Sequence, residues 1–190
     1  YSTPFSEERK FMLPFLELIA HPDAYQRTHL PGHITGSAWI LNAAKTKTLL
    51  VHHAKLNKWV QPGGHADGDE NILAVALREA EEEIGISGNQ VRIIGKLSNF
   101  FVVPSNFMVT PIVGFLDGKP IFTPQESEVT RILEGDLEQV LRDDAILTKE
   151  IVAARIYPMF APHFEIEGEV VWGATAMMLN EFRVVVQELV

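Results

Sequence analysis

The chain has 190 residues, of which 46% are hydrophobic and 22% are charged, and its formal net charge is −9. This composition predicts one globular domain with modest additions, and the negative charge argues against nucleic acid as a partner because such binding relies on clustered Lys and Arg. The chain has no cysteine, which excludes disulfides and zinc–thiolate sites, and no apolar run or signal segment predicts a membrane, so we expect a cytoplasmic protein.

The N-terminal part predicts a helix followed by a linker. Residues Ser6–Ala20 begin with a capping candidate and acidic residues, and apolar residues recur along one face. Pro14 lies inside this pattern and predicts either a kink or a break into two shorter helices. The turn-rich stretch His21–His33 predicts the linker. We therefore divide the chain into an N-terminal helical extension with its linker, residues 1–33, and a main domain of residues 34–190.

Strands are predicted on both sides of a second helix. Before this helix, alternating and β-branched residues predict strands, and the same signals return after it. The predicted strands are Ile34–Leu41, Lys47–His52, Val91–Val103, Phe107–Leu116, Lys149–Tyr157 and His163–Trp172, with turns at Pro104–Asn106 and Gly168; the later helices are Leu137–Leu141 and Thr175–Leu189. This order suggests an α/β fold, an α/β/α sandwich around a mixed β-sheet, and it also allows a generic α+β domain.

The second helix has clear boundaries in the sequence. Two glycines, Gly63 and Gly64, stand ahead of it and allow the backbone to approach a ligand closely. Either Asp69 or Asn71 is expected to cap its first turn, and Gly85 is expected to end it with a left-handed cap.

Three carboxylates share one face of this helix. Glu79, Glu82 and Glu83 stand at positions i, i+3 and i+4, while apolar residues of the same period define another face. Like charges this close repel each other. A divalent cation removes the repulsion, and oxygen ligands select magnesium, manganese or calcium. The alternative is a solvated acidic face without a ligand.

The spacing of the stretch Gly64–Ile86 resembles the signature of the Nudix hydrolases. Gly64 is followed after five residues by Glu70 and after seven more by the run Arg78-Glu79-Ala80-Glu81-Glu82-Glu83-Ile84-Gly85-Ile86, so that every fixed position is present. The resemblance implies the Nudix-type α/β/α sandwich. It also implies hydrolysis of the diphosphate linkage in a nucleoside diphosphate linked to another group, X, with Mg²⁺ or Mn²⁺ as cofactor and a small nucleotide as substrate.

The resemblance also assigns roles to individual residues. Glu82 and Glu83 would be the main metal ligands, and Glu79 would be a further ligand or the general base. The carbonyl oxygen of Gly63 would complete the coordination of a metal. Arg78 would join the catalytic group, and together with Glu70 it would hold the acids in orientation. Glu81 falls in a variable position and is expected to be an exposed charge.

One further acid from outside the helix is expected to complete the site. Glu128 is the candidate, with Glu126 behind it, because both lie in a polar loop after the two long strands. The alternative is that both are exposed loop acids.

Histidines and aromatic residues near this stretch have less specific signals. His52, His53 and His65 lack the spacing of a known histidine metal site, so packing or surface roles are preferred. Trp59 and Phe100–Phe101 could stack on a nucleobase, but core packing is the preferred interpretation because it is more common for such residues.

The two halves of the chain resemble different Nudix branches. After the acidic helix, the segments SNFMVTPIVGFL and VVWGATAMML resemble the coenzyme A pyrophosphatase branch, whereas the first half resembles a less characterised bacterial subgroup. His53 stands where the coenzyme A branch has an arginine. X is therefore left open among coenzyme A, ADP-ribose and related nucleotides, and a natural or engineered mosaic is one hypothesis for the difference. A homodimer is a further hypothesis.

Two other functions remain as alternatives. The first is a Nudix-fold module that senses or binds a nucleotide with weak or no catalysis, although such modules usually lose the carboxylates that this chain keeps. The second is an isomerase of isoprenyl diphosphates, which typically uses a catalytic cysteine that this chain lacks.

Overall fold

The structure, a computed structural model, describes residues 6–102, 105–153 and 156–189. Its helices are α1 (Ser6–Ala20), α2 (Ile72–Ile84), α3 (Leu137–Leu141) and α4 (Ala174–Glu188), with a 3₁₀ turn at Gly88–Gln90. Its strands are β1 (His33–Leu41), β2 (Lys47–His53), β3 (Lys58–Val60), β4 (Gly63–His65), β5 (Val91–Lys96), β6 (Phe100–Val102), β7 (Phe107–Leu116), β8 (Val129–Asp136), β9 (Ile146–Ala153), β10 (Tyr157–Ile166) and β11 (Glu169–Trp172).

The main sheet is mixed and has the strand order β3-β2-β1-β7-β5. Strands β1 and β7 run parallel, from the pair His33–Phe107 to the pair Leu41–Phe115. Strands β4, β6 and β8 pair antiparallel with β1, β7 and β2 respectively. All nine residues of β1 are buried, as expected for a central strand that is covered on both faces.

Alternation along β1 places two apolar layers on opposite faces of the sheet. Ala38 and Ile40 join a core cluster that contains α2 residues such as Ala80. Trp39 and Leu41 join a second cluster that contains α4 residues such as Leu179. Successive side chains of a strand point to opposite faces, so one strand supplies both layers. The predicted α/β/α sandwich around a mixed sheet is confirmed.

A second, three-stranded antiparallel sheet has the order β11-β10-β9. It contacts the main sheet where the indole N–H of Trp59 donates to Glu169 at 3.0 Å and where the Lys58 ammonium lies 4.1 Å from the Trp172 ring centroid. The predicted strand bounds here are wrong, because Tyr157 belongs to β10 and not to the strand before it. The predicted turn at Gly168 is confirmed, with a positive φ of 76°.

Two other predicted elements differ from the structure. The strand predicted over Val91–Val103 is divided into β5 and β6 at residues 97–99, because Leu97 is buried in the core and the Ser98 N–H donates to the Glu181 carboxylate at 2.8 Å instead of to a strand. Strand β5 also has a bulge between Ile93 and Gly95, which shifts its register against β7. Val103 and Pro104 lie outside the described residues. Helix α1 continues through Pro14, so the predicted break into two helices is wrong. Within the described ranges, no helix is long and apolar enough to cross a membrane.

Candidate metal and active site

The glycine loop and the acidic helix are fixed against the same central strand. Strand β4 pairs with β1 through Gly64 opposite Gly36. Helix α2 starts after Asn71, whose side-chain oxygen accepts from the Ala74 N–H at 3.2 Å, and ends at Gly85 with a φ of 74°. Of the two predicted N-caps Asn71 takes the role, and the predicted cap at Gly85 is confirmed. The loop and the carboxylates therefore have defined relative positions.

Two glycines allow α2 to lie close to the sheet and to the loop. A Cβ at Gly36 would lie 3.0 Å from the carbonyl oxygen of Ile72 at the start of α2. A Cβ at Gly64 would collide with the carboxylate of Glu79. The absence of a side chain at Gly64 thus makes room for the Glu79 carboxylate directly beside the loop backbone.

The Glu83 carboxylate is buried beneath this loop. Its side chain belongs to a residue that is only 3% exposed, and its Oε1 accepts a hydrogen bond of 3.3 Å from the backbone N–H of Gly63. Its Oε2 has no hydrogen-bond partner in the described structure. The pKa of Glu83 is raised to about 8, mainly by burial. The hydrogen bond from Gly63 opposes this shift, and the negative charges of Glu79, Glu128 and Glu82 contribute to it.

The other acids surround Glu83 with different exposure. Burial, followed by the charge of Glu82, raises the pKa of Glu79, while Arg78 opposes the shift. The Glu82 side chain is 59% exposed. Glu128 is half-buried, its backbone carbonyl accepts from Ala54 at 2.7 Å, and its charge acts on both Glu79 and Glu83.

The structure brings the predicted outside acid near the helix and leaves its neighbour apart. Glu128 is close enough to raise the pKa of two helix carboxylates, whereas Glu126 is exposed in the loop. Glu81 is also exposed, in agreement with its variable position.

Arg78 lies among the acids, but its partner outside the helix is Asp69 and not Glu70. Its guanidinium nitrogens lie 3.6 Å from Asp69, 3.8 Å from Glu79 and 4.0 Å from Glu82. One nitrogen also donates to the His65 carbonyl at 3.4 Å. Glu70 is exposed, and in the described part of the chain it makes no ion pair with Arg78; its carbonyl accepts from the Ile72 N–H at 3.1 Å.

Sequence reasoning did not find Asp69 as a partner of Arg78. Asp69 belongs to a turn ahead of α2 and Arg78 to the second turn of that helix, and no periodic pattern relates such positions. Only the folding of the turn over the helix brings them together.

The three histidines near the loop take packing and hydrogen-bonding roles. His65 packs against His33 in a tilted contact and against Phe107 edge to face, with ring centroids 4.8 Å and 5.4 Å away, and burial lowers the pKa of His65. His52 bonds the Thr130 hydroxyl at 2.8 Å. The His53 Nδ1 accepts from the Lys55 N–H at 3.2 Å, and burial lowers the pKa of this histidine too.

The aromatic candidates are core residues. Trp59 is 4% exposed and lies in the cluster that contacts α4. Phe100 is partly buried against that cluster, and Phe101 is partly buried against a third cluster, which consists of Leu18, Ala24, Ile34 and Met108. Their predicted role in core packing is confirmed.

The donor set fits a hard divalent cation, although the side chains do not yet form a closed site. Across residues 6–102, 105–153 and 156–189, no three His, Asp or Glu side chains converge closely enough to hold a metal ion. The buried Glu83 oxygen without a partner, the adjacent Glu79 and the nearby Glu128 are nevertheless all oxygen donors. A divalent cation would supply both the missing partner and the missing positive charge.

Comparison with known proteins gives one family. The sequence model of the NUDIX domain matches residues 33–163. An uncharacterized Nudix hydrolase NudL from Pectobacterium atrosepticum is 32% identical over 130 residues, covering 63% of this chain and 62% of that protein. The same-named protein of Yersinia enterocolitica is 35% identical over 124 residues, covering 63% and 60%. The chain thus spans about three-fifths of the length of these curated relatives.

A solved structure supports the fold. The Nudix hydrolase RenU from M. smegmatis superposes with a TM-score of 0.56 over 84% of this chain and 89% of its own, at 13% identity. At this identity the similarity concerns the fold alone.

Proposed function

The chain belongs to the Nudix family, whose domain matches more than half of its length, and on that premise we propose that it hydrolyses the diphosphate linkage of a nucleoside diphosphate linked to a group X. The reaction is attack of water on phosphorus, with release of a nucleotide and a phosphorylated X. The catalytic part would extend over residues 34–190, since α4 and the second sheet complete the core on one face of the main sheet.

The observation that carries the proposal is the Glu83 carboxylate. A buried carboxylate with one orphan oxygen and a pKa raised to about 8 destabilises the fold when it is ionised. Like charges from Glu79, Glu128 and Glu82 add to this cost. This arrangement contributes nothing to stability, which supports a role in binding a cation.

We assign the metal to Glu79, Glu82 and Glu83 on α2, with the carbonyl of Gly63 and the carboxylate of Glu128 as further ligands. Mg²⁺ or Mn²⁺ bound there would neutralise phosphate oxygens and lower the pKa of the attacking water. The Glu82 side chain is exposed, so it would have room to move toward the buried acids when a cation binds.

Neighbouring groups hold these ligands in position. The Gly63 N–H fixes one Glu83 oxygen, which leaves the other for the cation. Arg78 holds Glu79 and Glu82 through its fork of nitrogens, with Asp69 on its other side. Glu79 has a raised pKa and lies beside the open backbone of Gly64, a position suited to a ligand or to the base that takes a proton from water.

The test is a magnesium-dependent screen with coenzyme A, ADP-ribose, NADH, dinucleoside polyphosphates and nucleoside triphosphates as substrates. We expect turnover on at least one diphosphate with Mg²⁺ or Mn²⁺ and none with chelator. Glu82→Gln and Glu83→Gln should remove turnover while the fold remains. Glu81→Gln, an exposed acid of the same helix, is the matched control and should keep it.

The same screen separates the alternative of a nucleotide sensor. Nucleotide binding without turnover of any compound would favour the sensor and overturn the hydrolase. Full activity in Glu82→Gln or Glu83→Gln would overturn the assigned metal site.

A further inference from the structure

A cleft of about 540 Å³ lies between α1 and α2, over strands β5 and β7. We propose that this cleft is a second ligand site, which binds a planar heterocycle of the nucleobase type. Its volume falls within the range of small-molecule sites in proteins, which is about 300–1,000 Å³. The proposal rests on the proposed function only in expecting nucleotides as the natural ligands.

The cleft lies on the opposite flank of α2 from the carboxylates. Helix α2 crosses β1 at Gly36, where a Cβ would contact the backbone of Ile72 and Ala76. On one side of Gly36 its pairing partner is Gly64, which faces Glu79. On the other side its partner is Thr110, which lines the cleft. Neighbouring strands are about 4.8 Å apart, so roughly 10 Å of sheet and the body of the helix separate the two sites.

The floor and walls of the cleft are mostly apolar. Ile34 and Ile112 are 6% exposed and form part of its floor. Leu73 on α2 and Ile19 on α1 also line the cleft, and these apolar residues are 39% and 43% exposed. Tyr25 adds an aromatic ring to the lining. These apolar walls offer water few hydrogen-bonding partners, whereas a flat ring placed between them removes apolar surface from solvent.

One polar pair gives the cleft its chemical selectivity. The buried hydroxyl of Thr110 donates to the Oδ1 of Asn99 at 3.1 Å. This bond fixes the orientation of the amide, so that the Nδ2 donors and the second lone pair of Oδ1 remain side by side. An adjacent donor and acceptor of this kind matches the edge of a nucleobase, as an asparagine does with adenine.

Two charged residues stand at the rim. Lys96 and Glu70 both line the cleft and are exposed. Opposite charges at one rim do not select a highly charged anion, so the heterocycle and not a phosphate is the recognised group. Its source is either the base of the substrate or a separate free nucleoside.

The experiment is calorimetric titration of the full chain with adenosine in the absence of divalent metal, and ribose 5-phosphate is the probe without a heterocycle. We expect saturable binding of adenosine and none of ribose 5-phosphate. Asn99→Ala should weaken adenosine binding about tenfold, the loss of one such base contact. Ser98→Ala is the matched control, because Ser98 is an exposed neighbour and uses its backbone N–H to bond Glu181.

A second variant and a second readout keep the outcome informative. Leu73→Trp fills the cleft from its exposed wall and should also prevent binding of adenosine. The metal-site variant Glu83→Gln should bind it unchanged, so loss of hydrolysis and loss of the cleft ligand are distinguishable. Competition of adenosine with substrate assigns the cleft to the substrate base, and inhibition or activation without competition assigns it to a separate nucleoside. Adenosine binding that is absent, or equal in Asn99→Ala, Leu73→Trp and the unchanged chain, would overturn the proposal.

Discussion

The backbone N–H of Gly63 donates to Oε1 of Glu83 at 3.3 Å, which ties the glycine loop to the last turn of α2 across 20 residues of chain. The bond satisfies one oxygen of a buried carboxylate and leaves the other without a partner. The orientation of Glu83 is therefore set before any ligand binds. Burying its charge destabilises the metal-free fold, and the same charge is what would bind a cation.

Glu83→Gln should remove metal-dependent turnover and stabilise the metal-free fold. The amide keeps the size of the side chain and the Gly63 hydrogen bond, but it carries no charge to bury. We expect a fall in kcat/KM of more than about a hundredfold, beyond the effect typical of outer residues at metal sites. Thermal unfolding at pH 8 in chelator should occur at a higher temperature than for the unchanged chain. An unchanged or lower Tm would contradict the burial of a strained acid.

The stability of the metal-free chain should decrease as pH rises above about 7. The pKa of Glu83 is about 8 in the fold against a usual value of 4.5, so the folded state binds the proton more tightly than the unfolded state. This contribution is fully present below about pH 4.5 and is lost as pH rises through about 8. A pKa difference of one is worth about 1.4 kcal/mol, and about 1 kcal/mol moves Tm by about 2–4 °C at this chain length. Thermal melts in chelator should show a decline of several degrees between pH 7 and pH 8.5, above the range in which the lowered pKa values of His33, His53 and His65 make stability rise with pH.

Two comparisons test the cause of that decline. Saturating Mg²⁺ should flatten it, because the cation replaces the proton on the carboxylate. Glu83→Gln in chelator should flatten it too. A decline of the same size in Glu83→Gln would assign it to other groups.

The parts of the fold that sequence predicted are those with local chemical causes. Cap chemistry limited the start of α2 to Asp69 or Asn71 and located its end at Gly85, and the short helix Leu137–Leu141 is predicted at its observed bounds. The stretch between Ala153 and Tyr157 contains no Gly, Pro, Asn or Asp, so the end of β9 gave no turn signal and the strands were placed wrongly.

The parts of the site that sequence did not predict depend on tertiary contacts. Spacing along a helix predicts that Glu79 and Glu83 share a face, but it does not contain the depth to which each is buried. Spacing also does not predict the hydrogen bond from Gly63 to Glu83, or that Arg78 contacts Asp69 and not Glu70. Both contacts form only when separate elements fold onto each other.

Gly64→Ala should impair the site and spare the fold. The added Cβ would collide with the end of the Glu79 side chain, which is flexible, and Gly64 does not require a positive φ. We expect Glu79 to be displaced, metal affinity and kcat/KM to fall about tenfold or more, and Tm to change little. Gly88→Ala is the control, because its Cβ would make only ordinary contacts, at 3.4 Å or more, with the Leu77 side chain. A large loss of Tm in Gly64→Ala would mean that the glycine serves folding instead.

Arg78→Lys should weaken the site although the charge is kept. Lysine replaces a planar fork by a point charge, and it cannot contact Asp69, Glu79, Glu82 and the His65 carbonyl together. We expect a loss of about ten- to a hundredfold in kcat/KM with a raised requirement for Mg²⁺, measured by metal titration of the rate. Arg142→Lys, which alters an exposed ion pair with Asp144, should leave both unchanged.

Glu128→Gln and Glu126→Gln form the matched pair that tests the acid outside the helix. The two residues share one loop and one chemistry, but only Glu128 is half-buried and acts on the pKa values of Glu79 and Glu83. Glu128→Gln should therefore lower the Mg²⁺ affinity about tenfold or more and lower the pKa of Glu83, because one repelling charge is removed. Glu126→Gln should change neither. Metal titration of the rate, together with thermal melts against pH in chelator, measures both effects, and equal behaviour of the two variants would exclude Glu128 as a ligand.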